Sequence, residues 1–105
     1  SHKGTIATIL LRVTDIKDRS VPKRVCCVDQ AGNAVSLVYF TGNSPMAFRM
    51  WSVEKAKFSA PGETFIVSGT LKYNQMNGEY QFVQPDIALP KRDAHKVVGI
   101  EPQYG

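Results

Sequence analysis

Ala34-Val35-Ser36-Leu37-Val38-Tyr39-Phe40-Thr41-Gly42-Asn43-Ser44-Pro45-Met46-Ala47-Phe48-Arg49-Met50-Trp51 decides the architecture, because the hydrophobic period changes inside it. Up to Phe40, the apolar residues Val35, Leu37 and Tyr39 fall on one parity, the repeat of a strand with one buried face. Ser44 is a good N-cap and Pro45 a good first helical residue. Beyond them Met46, Phe48, Met50, Trp51 and Val53 recur at near-helical spacing to about Phe58, and Pro61-Gly62 ends the element.

Upstream of this stretch the period is two. Thr5 to Val13 carries Ala7, Ile9, Leu11 and Val13 on one parity, and Arg24 to Asp29 carries Val25 and Cys27 on one face. Thr14 to Lys23, with Pro22 and several charges, has no period and reads as a loop. Gln30-Ala31-Gly32-Asn33 turns the chain into the strand at Ala34. Downstream, from Glu63, the residues Phe65, Val67, Gly69, Leu71 and Tyr73 share a face. Gly69 in mid-strand marks a sharp bend or the close approach of another backbone. Asn77-Gly78 is a hairpin signal leading into Tyr80 to Gln84. Pro85 interrupts that strand, so Ile87 to Leu89 is expected to continue past a kink at a sheet edge, with Pro90 to Lys96 a charged linker.

Three strands, a helix and two strands predict an all-β fold: a five-stranded OB-fold Greek-key barrel with one helix between strands 3 and 4. At 105 residues there is room for one core. A composition of 43% hydrophobic and 21% charged residues excludes a disordered chain. No apolar run approaches the roughly 20 residues that span a bilayer, so no membrane association is expected. Residues 1–4 lack a signal-peptide layout and read as a lead-in, with Ser1-His2 the remnant of a tag.

Cys26 and Cys27 are adjacent, point to opposite faces of a strand and cannot easily pair, and His2 and His95 stand alone. No disulfide and no metal site are expected, and the thiols fit a reducing cytoplasm. There is no G-x-x-x-x-G-K-[ST] loop and no G-x-S-x-G elbow, and the nine acidic residues are scattered. This chain is therefore expected to bind, without catalysis and without a cofactor of its own.

The balance of 13 basic to 9 acidic residues, a net +4, is compatible with a nucleic-acid partner. Tyr39 and Phe40 are neighbours on a strand, so both rings cannot enter the core. With Tyr39 following Leu37 inward, Phe40 lies on the outer face or rim, either as a stacking platform for a base or as a cover of the barrel end against Trp51. Lys17, Arg19, Lys23 and Arg24 fall in and beside the loop joining strands one and two. They either neutralise phosphates or belong to a solvated loop in which Asp15 and Asp18 cancel half the charge. Lys72, Asn74 and Gln75 near the hairpin read as ordinary surface. The helix stripe is too dense for one face, so some of Met46, Met50 and Trp51 are expected to stay exposed as a docking face.

Arg24-Val25-Cys26-Cys27-Val28-Asp29-Gln30-Ala31-Gly32, Leu37-Val38-Tyr39-Phe40, Pro61-Gly62-Glu63 and Val67-Ser68-Gly69, in that order, resemble segments of the wedge domain of the RecG branched-DNA helicases. Gln81-Phe82-Val83-Gln84-Pro85-Asp86 is similar to the family's Q-M-V-H-P-[DE], with Phe82 and Gln84 in place of Met and His. Ile100-Glu101-Pro102-Gln103-Tyr104 is similar to its I-E-P-x-Y lead into the motor domains. The resemblance implies a wedge domain over residues 5–90 and a linker over 91–105 toward motor domains that hold ATP and Mg. It implies branched DNA, at stalled forks and Holliday junctions, as the partner, with Tyr39 and Phe40 at the stacking positions. Duplex would be split by steric obstruction plus stacking, and a monomer is expected. The competing expectations are a free-standing OB-fold for single strands and a barrel that docks a protein through its helix.

Overall fold

In the computed structural model, residues 4–58 and 64–90 are described. The elements are β1 (Thr5–Lys17), β2 (Lys23–Val28), β3 (Ala34–Tyr39), α1 (Pro45–Lys57), β4 (Thr64–Asn74), β5 (Glu79–Val83) and β6 (Ile87–Pro90). Strands β1, β2, β3, β5 and β4 pair in that order, and β4 returns to β1, so five strands close a ring. All of these pairings are antiparallel except β3 with β5, which is parallel. The fold is mostly β and barrel-like, with the expected helix between the third and fourth strands. Among the described residues no helix is long and apolar enough to cross a membrane.

The alternation in sequence becomes the inside and outside of the ring. Leu11, Val25, Cys27, Val35, Leu37, Phe65, Val67 and Phe82 form the buried interior, and Ala7, Ile9 and Val13 pack against it. Trp51 (2% exposed) on α1 and Phe58 at its C-cap enter that core, and Phe58 meets Phe65 with ring centroids 4.8 Å apart. The helix begins as its sequence requires: Ser44 is extended and its hydroxyl accepts from the Ala47 N–H at 3.2 Å.

Three differences from expectation have local causes. First, β1 runs on to Lys17, because the register with β2 slips between Val13 and Asp15. This bulge lets Ile16 and Lys17 pair with Val25 and Arg24. Lys17 therefore sits on a strand, and the true connection is residues 18–22. Second, the β4–β5 hairpin is a four-residue turn at Gln75–Gly78, closed by Gly78 N–H to the Asn74 carbonyl at 2.8 Å. Third, the chain breaks at Pro85 and resumes as a sixth strand, β6, which pairs with β4 along the edge that β5 has just left. Pro90 belongs to that strand, opposite Phe65, and not to the linker. Gly69 serves the break: a Cβ there would lie 3.2 Å from both Asp86 N and Pro85 Cα. The lead-in at residues 1–3, the helix stop at Pro61-Gly62, Glu63 and residues 91–105 lie outside the described residues.

Candidate nucleic-acid interface

On the outer face of β2, β3 and β5 a groove of about 330 Å³ is open to solvent. Its floor comes from residues of outward parity: Arg24 on β2, Val38 on β3 and Gln81 and Val83 on β5. One wall is the β1–β2 connection, Ser20-Val21-Pro22, and the other is the β4–β5 hairpin with Asn74 and Asn77. Phe40 lies at its end, immediately past β3, with 54% of its surface exposed.

Tyr39 and Phe40 part company here, as strand alternation demands. Tyr39 turns to the helix, its ring 5.0 Å from that of Trp51 and tilted 47°. Burial, reinforced by the Glu54 charge, pushes its phenol well above the usual range. The contact with Trp51 expected of Phe40 under one of its two readings is thus made by Tyr39. Of the two rings, Phe40 is the more exposed.

The four basic residues diverge more than their spacing suggests. Arg24 crosses β3 to pair with Glu79 on β5, and Glu79 Oε1 also accepts from Asn77 Nδ2 and Gln81 Nε2, both at 3.2 Å. The crossing side chain explains why Ser36 and Val38, which point outward, are buried. Arg24 therefore faces the groove with its charge already matched. Lys17 pairs with Asp15 at 3.0 Å on the surface, an arrangement worth little to stability. Lys23 Nζ donates to the Asp18 carbonyl at 2.5 Å. Arg19 is exposed, with no ion-pair partner among the described residues. It immediately precedes Ser20 of the groove wall, and of the four basic residues it is the one with neither an ion-pair nor a hydrogen-bond partner among the described residues.

Asn74, set aside as surface in the sequence, lines the groove together with Asn77 and Gln81. The signal for Gln81 was its parity with Val83; the signal for the asparagines was their place in the hairpin beside a strand-three face. On α1, Met46 and Met50 are exposed whereas Trp51 is buried, so two of the three residues expected at a docking face are exposed; Phe48 and Val53 on the same helix are exposed as well. Among the described residues no group of His, Cys, Asp and Glu is arranged to hold a metal ion. Comparison of the chain with protein-family models, with curated proteins and with solved structures finds no match.

Proposed function

We propose that this domain is an OB-fold that binds branched DNA, acting as the strand-separating wedge of an ATP-dependent helicase of the RecG type. The observation that carries the reading is Phe40, an exposed ring at the end of a groove between the β1–β2 connection and the β4–β5 hairpin. The strand-three face and these two loops are where OB-folds grip oligonucleotides, which supports the reading. A base unstacked at the branch point lies on Phe40, the strand follows the groove, and Arg19 in the β1–β2 connection meets the backbone. The closed barrel is the rigid obstacle; motor domains elsewhere in the parent chain supply the free energy. The exposed Met46, Met50 and Val53 on α1 favour a contact with those motor domains.

Competition binding tests the reading. A labelled three-way fork held by the protein at low salt should be displaced by unlabelled fork and poorly by linear duplex or single strand of equal length. Equal competition by single strand would leave only a generic single-strand binder.

A further inference from the structure

Phe40 is also a wall of a second cavity. Between α1 and the ends of β3 and β5 lies a crevice of about 220 Å³, separate from the groove except for this shared ring. Trp51, Met50 and Pro85 give it apolar sides, and Tyr39 and Glu54 give it polar ones. Two oxygens of those residues, Tyr39 Oη and Glu54 Oε2, are shielded from solvent and have no hydrogen-bond partner. The other carboxylate oxygen of Glu54 is taken by Lys57 Nζ at 3.2 Å. Buried polar atoms are nearly always satisfied, so an unpartnered pair on two residues that line one crevice calls for a ligand that brings a donor to the carboxylate once the wall over it moves.

We infer that this crevice receives one unstacked nucleobase by its amino-bearing edge. The inference rests on the nucleic-acid reading above. A carboxylate repels phosphate and accepts from an exocyclic amino group, as it does from cytosine N4. The Tyr39 hydroxyl then donates to the adjacent ring nitrogen, so cytosine satisfies both oxygens at once. Thymine, of nearly the same size, presents a carbonyl where Glu54 needs a donor. Met50 is 61% exposed, unbranched and flexible, and it is the wall that swings aside to admit the base. A strand leaving the groove across Phe40 delivers its next base to this opening.

Forked DNAs carrying cytosine, thymine or an abasic site, in turn, at each of the first three unpaired positions test the inference by fluorescence anisotropy. The wild-type domain should bind the cytosine fork about tenfold more tightly than the thymine fork at one of these positions. Glu54→Gln, whose amide both donates and accepts, should abolish that preference. Tyr39→Phe keeps the ring on Trp51 and should reduce the preference as well. Equal binding of cytosine and thymine forks by the wild type, as expected if a protein side chain fills the crevice, would overturn the inference and leave the groove reading intact. So would a preference that survives Glu54→Gln. No binding of any fork would overturn the groove reading, and the crevice with it.

Discussion

Asp18 accepts the indole N–H of Trp51 at 2.7 Å through Oδ1 and pairs with Lys55 at 2.8 Å through Oδ2. Trp51 and Lys55 stand one turn apart on α1, so a single carboxylate fastens the β1–β2 connection to the helix that plugs the barrel. Lys23 closes the same connection on the Asp18 carbonyl. The wall of the groove is thus held by the plug as well as by its own strands. A ligand that lies against this wall meets a surface already in place, which lowers the ordering cost of binding.

The Asp18 carboxyl is held below the usual carboxylate range by the Lys55 hydrogen bond and then by that of Trp51. A folded-state value below the unfolded one adds stability that is present above the unfolded pKa and lost as pH falls through the folded one. Asp18→Asn should therefore flatten the acid side of a melting-temperature profile between about pH 5 and pH 2. Asp15, lowered by Lys17, leaves a residual slope in the variant. Wild-type and variant profiles that run parallel would contradict the arrangement.

Phe40→Ala should weaken fork binding by about 1–3 kcal/mol, roughly 5- to 150-fold, the value of one stacked base. Its ring is half exposed and lies outside the core cluster, so thermal unfolding should change by much less. Anisotropy titrations and melts on the same samples decide it. A large loss of stability with little loss of affinity would make Phe40 a structural cover.

The inward residues of β1 to β4 were legible in the alternation as far as Leu71, as was the helix from Ser44-Pro45 onward, because both follow from local periodicity; Tyr73, read on the same face as Leu71, is exposed. The split between Tyr39 and Phe40 was half legible: parity separated the rings, but only packing sends Tyr39 to Trp51. What escaped depends on contacts distant in sequence. Arg24 finds Glu79 55 residues away, and Asp18 finds Trp51 33 residues away, and nothing local marks either pair. The bulge at Thr14 escaped for another reason: it breaks the alternation over the polar stretch where period carries least signal. Asn74, Asn77 and Gln81 became a groove only when the hairpin folded over β3.

Gly69→Ala should destabilise the domain by about 1–3 kcal/mol, because the added methyl meets backbone rather than a yielding side chain. The break at Gln84-Pro85-Asp86, anchored by Asp86 N–H to the Ser68 carbonyl at 2.9 Å, has to shift to admit it. Denaturant unfolding measures the change directly. An unaltered midpoint would mean that β6 is not held as described.

Burial pushes the Cys27 thiol up to about 12, whereas Cys26 lies half-buried on the outer face. At pH 8 a thiol reagent should label one cysteine, Cys26, in the folded protein and both after unfolding. The neutral Cys27 thiol is favoured in the fold, so its contribution is complete below the unfolded thiol value of about 8.5. It declines as pH rises toward the folded value. Rapid modification of Cys27 under native conditions would contradict the buried placement.

The most direct test of branched-DNA recognition is an amide NMR titration with a small fork, beside matched duplex and single strand. Selective shifts with the fork at Phe40, Val38, Gln81, Val83 and the connection around Ser20 are the predicted result. Equal shifts with single strand, or shifts confined to Met46, Met50 and Val53 on the helix, would contradict it.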